Sequence, residues 1–137
     1  MLINYPIQII RANDYTILRS LFFVNEAEGT LVLAGGVEEG DKFRFSNPPG
    51  FEAIEQTIEE FGTLKRDIPE ADAIILFSCK GRHGAFGPML EEEIEGLYRY
   101  WEAPLVGFLS YGEFGNTING TSEFHNESCS LVLLKEK

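Results

Sequence analysis

Two dense polar segments close apolar runs in the second half of the chain. One is Phe77-Ser78-Cys79-Lys80-Gly81-Arg82. The other is Gly107-Phe108-Leu109-Ser110-Tyr111-Gly112-Glu113-Phe114, with Phe124-His125-Asn126 shortly after it. Strand ends that open into glycine-rich loops are where sites are commonly built, because the sheet holds the loop still. Gly81, Gly84 and Gly87 would let the backbone turn tightly and approach a ligand. The helix expected next offers unpaired N–H groups and a partial positive end. Lys80 and Arg82 add charge, and an Arg can grip a carboxylate with two parallel bonds. No Gly-Lys-Ser/Thr ending follows, so this is not a nucleotide-binding P-loop, and no cofactor is expected. The alternative is an ordinary glycine-rich turn.

The residues set out for a ligand are Cys79, Arg82, Glu93, Tyr111, Glu113, His125 and Asn126. Arg82 would hold a ligand carboxylate and Glu113 an amine, with Tyr111 and Asn126 fixing orientation. If Arg82 is partly exposed in a loop, Arg82→Ala would leave the fold intact. Glu93 could instead pair with Arg82 and position it. His125 could bond a ligand, or simply a backbone carbonyl.

Two other chemistries compete. Cys79 and His83 are four apart, as are His125 and Cys129, which supplies zinc-type ligands. Neither pair has a recognised zinc spacing, and Cys129 sits in an apolar strand pattern, so no metal is expected. Cys79 could also serve as a nucleophile in a hydrolase or transferase, activated by His125. A neighbouring helix N-terminus and Arg82 would lower its pKa. A small packed residue at a strand end is the plainer reading of Cys79.

Elements able to position these residues can be read from the periodicity. Residues 6–10, 15–24 and 30–34 are apolar or β-branched runs, and Lys-Phe-Arg-Phe-Ser at 42–46 alternates like a half-buried strand. Asn47-Pro48-Pro49-Gly50 breaks the sheet. Phe51, Ile54, Ile58 and Phe61 then recur at helical spacing, with glutamates mostly opposite. Residues 71–78 read as a buried strand. Phe86, Leu90, Ile94, Leu97 and Trp101 form a second helical stripe, whose first turns carry Glu91, Glu92, Glu93 and Glu95, where the helix dipole favours negative charge. Residues 105–111 and 128–134 are the last strands. The expected fold is α+β, with a mostly antiparallel or mixed sheet and two helices packed on one face. The two helix-flanked strands are candidates for a parallel pair.

The 137 residues suit one domain spanning 1–137. A formal charge of −11 argues against nucleic acid or an anionic membrane as partner, since both need a basic surface. No apolar run is long enough to span a membrane and no signal peptide is visible, so the cytoplasm is the expected compartment. The glycosylation-type triplets Asn119-Gly120-Thr121 and Asn126-Glu127-Ser128 are then coincidental, and no Cys79–Cys129 disulfide is expected.

The residues 71–82, the acidic helix through Glu93, the segment Gly107 through Glu113 and the Phe124-His125-Asn126 ending together resemble the C-terminal half of FIST domains, as do Tyr5-Pro6 and residues 29–40. The name stands for F-box and intracellular signal transduction proteins. The resemblance implies a non-catalytic sensory input domain that binds a small ligand, an amino acid or related carboxylate. It also implies, as partner, a signalling output protein or the N-terminal FIST half that precedes this one in the family. A protein-interaction module, with the acidic helices as its surface, is a third reading.

Overall fold

The computed structural model describes residues 4–11, 15–47, 49–116 and 122–137. The Asn119-Gly120-Thr121 triplet and Pro48 lie outside them. The first half is built from β1 (Ile7–Ile10), β2 (Thr16–Arg19), β3 (Leu21–Asn25), β4 (Thr30–Leu33) and β5 (Lys42–Phe45). β1 is central between β2 and β5, antiparallel to both. Alternation along these strands points Ile7, Ile9 and Ile17 to one face, where Tyr15, Leu21 and Leu33 pack on them.

Two local expectations change here. The apolar run 15–24 is not one strand. It breaks at Ser20, whose carbonyl accepts from Ala34 N–H at 2.9 Å, so β3 leaves β1 and pairs with β4 instead. β5 was expected to be half-buried, yet it is exposed throughout, Phe45 at 76%. Phe43 and Phe45 stand opposite Ile9 and Ile7 on the sheet edge, beside that cluster rather than within it.

The second half holds α1 (Glu52–Asp67), β6 (Ala73–Cys79), α2 (Lys80–Phe86), a 3-10 turn (Gly87–Met89), α3 (Leu90–Trp101), β7 (Leu105–Ser110), β8 (Glu113–Gly115), β9 (Glu123–His125) and β10 (Cys129–Leu134). β6 is central, parallel to β7 and antiparallel to β10. The expected parallel pair is therefore present, and the crossover between its strands is helical, as parallel strands require. The fold is α+β with antiparallel and mixed sheets. Ile74 and Leu76 of β6 meet Phe61 of α1 and Leu97 and Trp101 of α3, which places both long helices on one face of this sheet. The helices also touch each other closely: a Cβ on Gly96 would lie 2.7 Å from Ile58 Cγ1. The opposite sheet face carries Phe77 against Phe108 edge-on, with Val106 and Val132 exposed.

The helical stripe from Phe86 to Trp101 is interrupted. Gly87 takes φ 56°, and Pro88, which has no N–H to donate, starts the 3-10 turn, so the stripe is shared by α2 and α3. The expected glycine-rich loop at 81–87 is mostly α2 itself. The short β8 and β9 pair as a ribbon that touches β6 and β10 on one side and β2 on the other. Arg19 of β2, buried, donates to Phe124 O at 2.9 Å and fastens the two sheets through that ribbon.

Leu97→Ala should cost about 2–5 kcal/mol, the usual range for opening a core cavity, because Leu97 is fully buried between helix and sheet. Phe45→Ser should change stability by no more than about 0.5 kcal/mol. Urea unfolding of both variants checks the contrast, and comparable losses would contradict the exposed position of β5.

Candidate functional site

The register gathers the polar segments at one end of the second sheet. Cys79 ends β6 opposite Ser110, which ends β7, and β10 begins there with Cys129 opposite Ser78. Residues just beyond the strands therefore meet. Glu113 is buried and accepts from Ser110 Oγ at 2.6 Å and Ser128 Oγ at 2.5 Å. Glu113 is also the register partner of His125 across β8 and β9. His125 Nε2 lies 3.2 Å from Gly115 O, the backbone-carbonyl role weighed for it above. Asn126 Nδ2 donates to His125 O at 3.3 Å, and Asn126 Oδ1 accepts from Ser20 N–H at 3.4 Å. That buried, bonded amide leaves no exposed glycosylation acceptor at Asn126.

Arg82 is buried in α2 rather than exposed in a loop. Its Nε and Nη2 pair with the Glu93 carboxylate, the first at 3.4 Å. Nη2 also donates to Thr57 Oγ1 at 3.2 Å, Nη1 donates to Glu127 O at 3.3 Å, and the guanidinium lies 5.0 Å from the Phe86 ring centroid. Glu93 therefore positions Arg82, and the condition for Arg82→Ala to leave the fold intact is not met. Tyr111 stands apart, 75% exposed at the turn between β7 and β8.

Glu127, Ser20, Ser110, Ser128 and Thr57 belong to the same network and were not singled out from the sequence. Ser20 Oγ donates to Glu127 Oε1 at 2.5 Å, and a Cβ on Gly81 would lie 2.2 Å from that oxygen, so a side chain there would displace the Glu127 carboxylate from its bond to Ser20. Glu127 also adopts φ 57°, a left-handed backbone. Polar residues next to strand termini were the available signal, and Ser20 was a polar break in an apolar run.

The network holds three carboxylates: Glu93 pairs with the Arg82 guanidinium, Glu113 accepts from two serines and Glu127 from one. Burial pushes the Glu127 carboxyl above its ordinary range, against the pull of the Ser20 hydroxyl and Arg82. Burial also pushes the Cys79 thiol up, more than the N–H groups of Gly81 and Glu127 hold it down. The Cys129 thiol rises too, through burial and then Glu93. Both cysteines are free. An activated nucleophile needs the opposite shift.

Beside the network lies a cavity of about 550 Å³. Leu76, Ser78, Leu105, Gly107 and Leu109 form its sheet side. Gly87, Pro88, Leu90, Glu91 and Ile94 form the helical side, with His83 and Phe108 completing it. The space exists because β7 has no outer neighbour among the described residues, because Gly107 carries no side chain, and because the chain leaves α2 at Gly87-Pro88 before α3 begins. A Cβ on Gly107 would lie 2.2 Å from Leu76 O. None of the seven sequence-proposed residues lines this cavity. The same elements nonetheless serve both places: Ser78 and Cys79, His83 and Arg82, Leu109 and Ser110 are chain neighbours, one on the cavity and one at the network.

Arg82→Ala should destabilise the fold by about 3–5 kcal/mol, since it strands Glu93 as a buried unpaired charge. The double variant Arg82→Met, Glu93→Met should recover most of that loss. Chemical denaturation checks both, and a single variant within about 0.5 kcal/mol of wild type would show that the pair is not structural. Glu127 supplies a pH test. Its folded pKa lies above the unfolded 4.5, so the folded chain holds that proton more tightly. Its contribution is complete below pH 4.5 and declines as pH rises through the raised value. Glu127→Gln keeps an acceptor for Ser20 and should abolish that decline, making the protein at least as stable as wild type at neutral pH. An unchanged pH slope in the variant would remove Glu127 as its source.

A family model described as the FIST C domain matches residues 1–116. No curated protein and no solved structure matches the chain. The matched span includes Cys79, Arg82, Glu93, Tyr111, Glu113 and the whole cavity lining, and ends before His125, Asn126 and β10. With most of its 137 residues matched, the chain belongs to the FIST C domain family, a domain associated with signal transduction.

Proposed function

We propose that this domain is a non-catalytic sensory input module that takes a small ligand into the cavity between β7 and the start of α3. The observation that carries the reading is the cavity itself: about 550 Å³, mostly apolar, running along β7 from Leu105 to Leu109 beside β6. Small ligands are commonly held in apolar clefts of this size that carry a few polar groups. The buried network of Arg82, Glu93, Glu113, His125 and Asn126 stands behind the cavity and fixes the elements that wall it. Cys79 is a packed member of that frame, and its raised thiol pKa favours binding over a cysteine-dependent hydrolase or transferase. Tyr111, exposed beyond the end of β7, is placed to meet a partner rather than a ligand in the cavity.

An amino acid, the ligand class the family resemblance implies, would have to set its ammonium group at the rim beside Glu91, because Glu113 and Glu127 do not line the cavity. Its carboxylate would need a cation other than Arg82, which Glu93 already holds. The output partner is a signalling protein or the N-terminal FIST half. No described helix is long and apolar enough to cross a membrane, which agrees with a cytoplasmic setting.

A ligand that binds only the folded state raises the melting temperature, by the equivalent of about 2.7 kcal/mol at a hundredfold excess over Kd. The test is a thermal-shift screen of amino acids, small carboxylates and small neutral apolar molecules. At least one class should raise the melting temperature of the wild type. Leu109→Trp, which fills the cavity from a half-exposed position, should abolish that rise. No rise with any class, or a rise that survives Leu109→Trp, would overturn the assignment.

A further inference from the structure

We infer that the cavity selects a neutral, mainly apolar molecule carrying one hydroxyl or carbonyl group, and that Ser78 is the residue that reads this group. The inference rests on the cavity reading above. Ser78 is 2% exposed, lines the cavity, and its hydroxyl has no hydrogen-bond partner among the described residues. The other serines around this end provide the contrast. Ser20, Ser110 and Ser128 each donate to a carboxylate, to Glu127 in the first case and to Glu113 in the other two. Ser78 alone among these four is left unpaired, and its strand neighbours in register are Leu109 and Cys129. A buried unpaired hydroxyl is destabilising, so a ligand group that bonds it gains what the free protein lacks.

The rest of the cavity sets the ligand's character. Leu76, Leu90, Ile94, Leu105 and Leu109 offer apolar contact only. The charged and titratable side chains of the lining, His83 and Glu91, are exposed at its rim, and His83 Nδ1 is 3.1 Å from Lys80 Nζ. A zwitterion seated here would bring two charges against leucine and isoleucine with one hydroxyl to solvate them, which is costly. A neutral molecule with a single polar atom meets no such cost. The volume lies within the range of about 300–1,000 Å³ in which small-molecule sites are found.

The test compares benzyl alcohol, acetophenone, toluene and phenylalanine, followed by amide chemical shifts during titration. Benzyl alcohol and acetophenone should bind roughly 2–13-fold tighter than toluene, the ratio one neutral hydrogen bond supplies, and phenylalanine should bind weakest. Ser78→Ala should erase the preference over toluene without lowering toluene affinity. It should also leave urea stability unchanged or raised, because it removes an unpaired buried hydroxyl. Ser78→Cys, similar in size with a weaker donor, should fall between the two and guards against a folding defect in the alanine variant. Leu109→Trp should abolish binding of all four. If phenylalanine binds best, or if Ser78→Ala leaves the alcohol-to-toluene ratio unchanged, the ligand class is wrong while the cavity reading stands. If none of the four binds but another molecule raises the melting temperature through the cavity, the class is again wrong. If no molecule of either set binds, both inferences fail together.

Discussion

The buried pairing of Arg82 with Glu93 is the interaction on which the site end of this domain depends. It joins α2 to α3 across the break at Gly87-Pro88, and the same guanidinium reaches α1 through Thr57 and the entry to β10 through Glu127 O. Local propensity would not build α2. The helix has seven residues, two of them glycine, each costing about 1 kcal/mol against alanine, and helices so short are unstable alone. Losing one partner of a buried pair costs about 3–5 kcal/mol, which outweighs those penalties. Tertiary electrostatics therefore holds the segment helical, and that helix contributes His83 to the cavity and leads into the turn that walls it.

The network also explains why the strand ends tolerate so much negative charge. Glu113 is satisfied by two serine hydroxyls and Glu93 by Arg82, which leaves Glu127 with a single hydroxyl and a raised pKa. Of the three network carboxylates, the imbalance falls on the one that sits on a left-handed backbone and against Gly81. Geometry, charge and glycine placement concentrate strain at a single corner, where the chain turns from β9 into β10.

Long periodic helices were legible from residue spacing: α1 and α3 follow from it, while β6 read as a buried apolar run whose period suits strand or helix, and its place between helices made it and β7 candidates for a parallel pair. Shorter features were not. α2 read as a loop because glycine is normally a helix breaker, and the contact that overrides this lies eleven residues away in Glu93. β8 and β9 have three residues each, too few for a period to show. β5 alternates as a half-buried strand should, but alternation assigns faces and cannot say whether anything covers them. Arg82 and Glu93 were both picked out, with their mutual pairing as an alternative to ligand contact, since sequence offers no distance between them. Ser78 sat inside a quoted segment and received no role, because an unpaired hydroxyl is visible only once its neighbours are placed.

The two walls of the cavity differ in how far they can yield. The helical wall backs onto the closed network of Arg82, Glu93, Thr57 and Glu127, where any displacement would stretch several buried polar contacts together. The outer part of the sheet wall is β7, which among the described residues is bonded to β6 alone, and it has no side chain at Gly107. A densely packed, hydrogen-bonded wall resists change far more than an edge strand does. An occupant that fits imperfectly would therefore displace β7 before α2 or α3. Ser110 ends β7 and donates to Glu113, so a shift of that strand reaches the β8–β9 ribbon directly, and through Arg19 and Phe124 O it reaches the first sheet. The asymmetry of stiffness gives this small domain a defined direction in which filling one side of the sheet could be felt on the other.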